Sequence, residues 1–415
     1  MATTTDTTNS AKTYSVGGVL MERPFKVRRL GHFGLDVRDM DAHLHFYHDL
    51  LGFKLSDVID FGARPGMEEL LKDIKETKGY FMHYGGDHHA FVLFPKDWRD
   101  AMARSRGREP KGEVDINQIT WQVGSLGEIV HAVDFFKERE VPIARTGRDM
   151  PGSNWHTYVL DPDGHTNELY YGIEQIGWLG RSKPRDMYYR RFDAPPELPQ
   201  MSEEAEVEEA KAKGIDIYSG FRDVESAPAT HDVEGVLLPR PFKITKIGPV
   251  SLFVDDLDRS RSFYERDLGF TFTEETQIMG QRALFLRAGT EHHSLTLLPK
   301  SLRSELGFSG DSTLASFGIE VGSYEQLRNA VAFLKDNGVA FKDVPDEFHP
   351  GIDYAAYAMD PSGRCVEIYY YMEQLGWQGV PRPRSERRPT AGAWPETIEP
   401  LSDTYADQVF QGPLG

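Results

Sequence analysis

A disulfide is out of reach for this chain, because its 415 residues include one cysteine, Cys365. The same scarcity removes zinc sites built from several thiolates. Basic charge is also short: 47 Lys and Arg stand against 65 Asp and Glu, a formal net charge of −18. Nucleic-acid binding needs clustered cations on the phosphate backbone, so that class is set aside. No apolar run approaches the roughly 20 residues that a membrane span requires. The opening MATTTDTTNSAKTYSVGG lacks a basic segment followed by an apolar one, so it does not read as a secretory signal, and a cytoplasmic protein is expected. What is present is ordinary for a globular protein: 39% hydrophobic and 27% charged residues. The length exceeds what one hydrophobic core serves, so two domains or more are expected.

The chain repeats itself. MERPFKVRRLGHFGLDV (Met21 to Val37) returns as PRPFKITKIGPVSLFV (Pro239 to Val254). HFYHDLLGF (His45 to Phe53) returns as SFYERDLGF (Ser262 to Phe270), and DHHAFVLFPK (Asp87 to Lys96) as EHHSLTLLPK (Glu291 to Lys300). YVLDPDGHTNELYYGIEQIGW (Tyr158 to Trp178) returns as YAMDPSGRCVEIYYYMEQLGW (Tyr357 to Trp377). Such self-similarity marks a tandem duplication.

Each half divides again. LGHFGLDV has strand character, and DMDAHLHFYHDLLG is an amphipathic helix closed by Gly52, as Gly269 closes its counterpart. Three short strands complete a βαβββ unit. A second unit opens at DINQITWQV, runs through the helix GSLGEIVHAVDFFKERE and ends in NELYYG. Four units are expected, starting near residues 27, 115, 243 and 313, in an α+β fold of two pseudo-symmetric halves. The divisions expected are a first domain over 1–194 (units near 27–100 and 115–175), an acidic linker over 195–236, a second domain over 237–380 and an extended tail over 381–415. The charge run Glu203 to Lys213 reads as a solvated helix or a spacer.

Paired units of this kind curl their sheets around a hollow, faced by the first and last strand of each unit. His32 lies on the first strand of unit 1, Gln118 in the matching slot of unit 2, and Glu168 on the last strand of unit 2. An imidazole, an amide and a carboxylate from three strands form a facial ligand set with open positions, the arrangement of non-haem iron oxygenases. The plainer alternative is a satisfied core histidine at His32 and a structural carboxylate at Glu168, since Glu367 repeats that carboxylate.

The stretch from His89 to Tyr171 resembles the type I extradiol dioxygenases of the vicinal-oxygen-chelate superfamily, particularly those for catechols with a carboxylated side chain. The motifs are HAFVL at His89, NQITW at Asn117 and GRDMPGSNWHTYVLDPDGHTNELYYG from Gly147. The resemblance implies His32 and Glu168 as metal ligands with Gln118 in a histidine's place. It implies His89 as the proton-moving histidine and Tyr158 as a phenol that bonds substrate oxygen. His88 is the further candidate beside His89. The implied cofactor is Fe(II), with Mn(II) or another divalent ion as competitor, because an amide is a weaker and harder donor than imidazole. The implied partners are a small aromatic substrate and O2, in a homo-oligomer.

Two departures from that pattern stand out. Gln118 replaces a ligand histidine, and the histidine expected near Asp149 or Met150 is missing, so either the chemistry is altered or another histidine, such as His88 or His156, takes its place. The second half looks emptied: Pro249 and Ser316 replace His32 and Gln118, while His293, Tyr357 and Glu367 remain. The resemblance places the metal of four-module enzymes in the C-terminal half, so the arrangement here is reversed. The pairs His88/His89 and His292/His293 can equally be edge-strand hydrogen bonders. Two other readings stay open: a metal-dependent glyoxalase-like isomerase or lyase that needs no O2, and a protein that binds an aromatic ligand without turnover.

Overall fold

The computed structural model describes residues 12–63, 66–148, 152, 154–188, 201–375, 378–387 and 394–398. The expected histidine position near Asp149 or Met150 and most of the tail lie outside them. The first half contains a hairpin of β1 (Tyr14–Val16) and β2 (Val19–Met21), then β3 (Arg29–Val37), β4 (Lys54–Asp60), β5 (Lys78–His83), β6 (Phe91–Pro95), β7 (Ile116–Gln122), β8 (Ile143–Arg148), β9 (Trp155–Leu160) and β10 (Thr166–Tyr171). β3 to β10 form one eight-stranded sheet in the order β4-β5-β6-β3-β7-β10-β9-β8. The second half repeats this with β11 (His231–Val233) and β12 (Val236–Leu238) as a hairpin. Then follow β13 (Ile244–Val254), β14 (Thr271–Ile278), β15 (Gln281–Arg287), β16 (Leu295–Pro299), β17 (Leu314–Val321), β18 (Phe341–Lys342), β19 (Ala355–Met359) and β20 (Cys365–Tyr369). Its sheet order is β14-β15-β16-β13-β17-β20-β19-β18. The strands that open the four βαβββ units begin at Arg29, Ile116, Ile244 and Leu314.

Within each sheet the two units meet along their first strands. β3 and β7 run antiparallel, and each also pairs in parallel with the last strand of its own unit, β6 or β10. β3 and β13 are buried along almost their whole length, as central strands covered on both faces must be. Helices over Leu126–Glu138 and Tyr324–Asp336 cover the sheets. They start at Ser125 and Ser323, whose hydroxyls accept the backbone N–H of Glu128 and Gln326. The helix Met40–Leu44 continues as a wider-turned segment over His45–Leu50 and stops at Gly52, where φ is +87°. Gly269 ends the corresponding segment at φ +85°, a conformation glycine adopts without a Cβ clash. The run Glu203–Ala212 is a helix with Ala210 buried and its glutamates turned largely outward.

One continuous core joins the halves, with Phe33 stacked on Phe317 at 4.6 Å. The Asp-Pro-x-Gly turns reach across that seam. Asp161 accepts from Tyr264 Oη at 2.9 Å and His165 Nε2 lies 2.9 Å from Thr313 Oγ1. On the other side Asp360 accepts from Tyr47 Oη at 3.1 Å and Arg364 donates to Asp115 at 3.0 Å. A helix over Lys96–Ser105, which the periodicity did not suggest, lies beyond β6 and brings Trp98 onto Phe61 at 4.6 Å.

Candidate metal centre and cavity of the first half

Strand register builds the site. His32 on β3 stands opposite Thr120 on β7, Thr120 opposite Glu168 on β10, and Glu168 opposite Tyr158 on β9. Side chains in register share a face, so four neighbouring strands present one row to the hollow. Gln118 and His156 lie two residues along β7 and β9 and join the same face.

Glu168 is fully buried, and both of its oxygens are occupied. Oε2 lies 3.1 Å from His32 Nε2 and accepts from Gln118 Nε2 at 3.2 Å and Thr120 Oγ1 at 2.9 Å. Oε1 accepts from Asn154 Nδ2 at 2.8 Å, with His156 Nδ1 at 3.6 Å. Burial alone would push this carboxyl up. Attraction to His32, its hydrogen bond, and the contributions of His156 and Thr120 overturn that and hold it at about 2. The carboxylate is thus ionised and divided between two environments. Its Oε2 side carries an imidazole, an amide and a hydroxyl; its Oε1 side is held by Asn154.

The Oε2 side suits a divalent cation. Ligand atoms each about 2.1 Å from one ion and at right angles lie roughly 3 Å apart, which is the separation of His32 Nε2 from Glu168 Oε2. Among the described residues no group of three or more His, Cys, Asp or Glu side chains is placed to hold a metal, so the third donor would have to be the Gln118 amide with its oxygen turned inward. The His32 ring is held by packing, 4.4 Å from the His89 ring and 5.1 Å from that of Tyr170. Its Nδ1 has no hydrogen-bond partner among the described residues, unlike the doubly anchored imidazoles usual around metals.

His89 lines the cavity, and His88 lies behind it. His88 Nε2 is 2.8 Å from Asp57 Oδ2, and its Nδ1 is 3.1 Å from His89 Nδ1. With both rings neutral, Asp57 accepting from His88 Nε2–H leaves His88 Nδ1 to accept from His89 Nδ1–H and His89 Nε2 with its lone pair. Burial and the neighbouring His32 and His88 hold the His89 imidazole well below its usual range, hence neutral. Gly152 sits over the pair at φ +84°, where a Cβ would lie 2.8 Å from His89. Glu274, His292 and His293 repeat the chain in the second half at 2.9 and 3.0 Å.

The cavity around this row measures about 1010 Å³. Tyr158 and His156 lie on its wall, their rings 4.6 Å apart, with the Arg145 guanidinium 5.0 Å from the Tyr158 ring. His32, Gln118, Glu168, His89 and Tyr158 therefore border one cavity, while His88 touches it only through His89. Asp57, Thr120 and Asn154 were not singled out in the sequence. Thr120 was accessible through its alternation with Gln118, and Asn154 through its place in GSNW; Asp57 carries no local signal.

This arrangement of duplicated βαβββ units around a buried carboxylate and imidazole matches a known family. The profile of the Glyoxalase/Bleomycin resistance protein/Dioxygenase superfamily covers residues 29–169 and 246–368, and the chain belongs to that superfamily. It is 27% identical over 179 residues to the 3-methylcatechol 2,3-dioxygenase of Pseudomonas putida, covering 40% of this chain and 54% of that one. It is 30% identical over 168 residues to the biphenyl-2,3-diol 1,2-dioxygenase of Paraburkholderia xenovorans, covering 40% and 46%. The chain thus spans about half the length of these curated relatives. A crystal structure of catechol 2,3-dioxygenase shares the fold, with a TM-score of 0.52 at 17% identity over 90% of this chain and 96% of that one.

Proposed function

We propose that the first half is an extradiol-type dioxygenase site acting on a catechol or related hydroxylated aromatic, with Fe(II) as its ion. The carrying observation is the convergence of His32 and Gln118 on Glu168 Oε2 at the floor of a large cavity. These three residues would hold the ion. When bound, it supplies Lewis acidity and a redox couple at a point with open positions for two vicinal oxygens and O2. The relatives that act on diols support the reading.

The chain's own groups divide the remaining work. Asn154 holds the second oxygen of Glu168, which keeps the carboxylate aimed through Oε2. His89 takes a proton from the substrate hydroxyl at Nε2, because the Asp57–His88 chain leaves that nitrogen as the acceptor. Tyr158 presents its phenol from the strand beside Glu168. Phe61, Phe81 and Phe94 on the cavity wall exclude water from one side of the ring. Oxygen consumption in step with ring opening of 3-methylcatechol or biphenyl-2,3-diol, by iron-loaded protein, tests the proposal. Turnover of neither diol under O2, with iron bound, would overturn it.

A second reading is favoured by one observation, the amide in the ligand set. Glutamine suits a harder divalent ion, and a glyoxalase-like isomerase or lyase would use such an ion without O2. Product formation under strict anaerobiosis separates the two.

A further inference from the structure

The segment that joins the two halves is fastened to the first of them. Ser182 N–H donates to the Phe221 carbonyl at 2.8 Å, and the Ser182 hydroxyl donates to the Ser56 carbonyl. A Cβ on Gly220 would collide with the Ser182 carbonyl, so backbone rests on backbone there. Asp223 Oδ2 accepts the Leu55 N–H at 3.2 Å, and Glu225 accepts from Arg240 Nη1 at 2.7 Å. Leu55 and Ser56 belong to β4, the edge strand of the first sheet, at the point where its register with β5 shifts. An edge strand leaves N–H and C=O groups without a strand partner, and Asp223 and Ser182 take up two of them.

One of these contacts depends on a proton. His48 stands between two carboxylates, with Nε2 3.0 Å from Asp223 Oδ2 and Nδ1 2.7 Å from Asp49 Oδ1. A neutral imidazole has one N–H and one lone pair, so only the imidazolium donates to both. Asp49 is half exposed and can turn to water, whereas Asp223 is 14% exposed and has His48 as the cation in contact with it. The other charged groups around the ring are committed elsewhere. His45 lies 3.0 Å from the second oxygen of Asp49, and Arg240 holds Glu225 and the backbone carbonyls of His48 and Asp49. From β4 and β5, Lys54 is exposed and His83 is lowered by burial and bonded to the Gly85 carbonyl. The hydrogen bond to Asp223, followed by that to Asp49, raises the His48 pKa against the penalty of burial. In the second copy Glu265 takes the place of His48 and pairs with Arg261 at 2.7 Å, so this arrangement belongs to the first half.

We propose that Gly220 to Glu225 form a strap fastened to the first half by the His48 imidazolium, and that loss of this proton loosens the strap. Without it, one carboxylate faces a lone pair and the enclosed Asp223 loses its counter-charge, whichever tautomer forms. Because the folded-state pKa is the raised one, the fastening is complete below about pH 6.5 and is lost as pH rises through the shifted value. The strand it releases is the one that carries Asp57, next to Ser56 and the acceptor of the His88–His89 pair.

Hydrogen–deuterium exchange of the full-length protein reads the strap directly. After correction for intrinsic rates, protection of the Leu55 and Ser182 amides and of residues 220–225 is expected to fall about three- to tenfold between about pH 6 and about pH 9. Protection of β16 in the second half should stay level. His48→Gln is expected to be as weakly protected at the lower pH as the parent at the higher one. Asp223→Asn, nearly isosteric, offers an amide that satisfies a neutral imidazole, so its protection should not vary with pH. By NMR the His48 imidazole should titrate above about 6.5 in the parent and at least about half a unit lower in Asp223→Asn. Protection that is level with pH in the parent overturns the strap, as does a fall that survives in either variant. A parent His48 midpoint at or below the ordinary imidazole value overturns it too. No readout involves turnover, so failure of ring cleavage would leave this result standing.

Discussion

Glu168 and Glu367 hold the same register position in two copies of one sheet, each opposite a tyrosine on the neighbouring strand. Their surroundings drive them in opposite directions. Glu168 has an imidazole, two amides and a hydroxyl around it and is held at about 2. At the second site Pro249, Gly318 and Ala355 stand in the places of His32, Thr120 and His156. Glu367 accepts from Tyr357 Oη at 2.8 Å, and burial pushes it up to about 7. His349 reaches the same phenol at 2.9 Å, and burial lowers its imidazole to about 4. A buried carboxyl thus persists without a ligand set around it, with its protonated form favoured far above the ordinary carboxylate range. Duplication of a residue shows that the fold accommodates it; the neighbours decide its charge.

The sharpest way to break this comparison is to disable each carboxylate in turn. Glu168→Gln is expected to abolish metal retention and lower turnover by about 10³-fold or more, whereas Glu367→Gln should leave the bound metal unchanged. Plasma emission analysis of the two purified variants checks it, and equal loss of metal in both would end the assignment of the site to the first half. Next in size, His89→Gln should lower kcat about 10²- to 10⁴-fold, with metal content intact. His293→Gln should leave kcat near the parent value, and steady-state kinetics with a diol substrate would read both.

The raised pKa of Glu367 gives a stability test. In the unfolded chain the group titrates near 4.5 and in the folded chain near 7. Between those values the native state binds the extra proton, so stability falls as pH rises through the window. Glu367→Gln removes that penalty. The variant should match the parent near pH 4.5 and exceed it above pH 7 by up to about 3 kcal/mol, measured by urea unfolding at both pH values. A gap that does not widen with pH would show that Glu367 carries no such shift. Smallest is Gly152→Ala, expected to cost about 1–2 kcal/mol, because of its positive φ and the His89 contact. The same melts check it, together with a displaced His89 imidazole resonance.

Much of this was legible in the sequence. Four units followed from repeated words such as DLGF and DPxG, and His32, Gln118 and Glu168 followed from where those units begin and end. The partner of His88 was not legible, because Asp57 lies on a strand whose pairing is long-range. The cavity's size was hidden too. One wall depends on the helix Lys96–Ser105, whose apolar positions are few: Trp98 is buried in it, and most of its residues are polar.

The crossing of the turns between halves has a consequence for anyone who would cut this protein in two. The first copy is expected to lose the geometry of its candidate site when isolated. Phe33, the neighbour of His32 along β3, rests on Phe317, and Asp161, at the turn that leads into the strand of Glu168, is held by Tyr264. Excising the later copy would strip an aromatic face from beside the strand of His32 and a hydrogen-bond donor from the turn before the strand of Glu168. The copy without a ligand set is therefore a buttress, kept in place by what it supports.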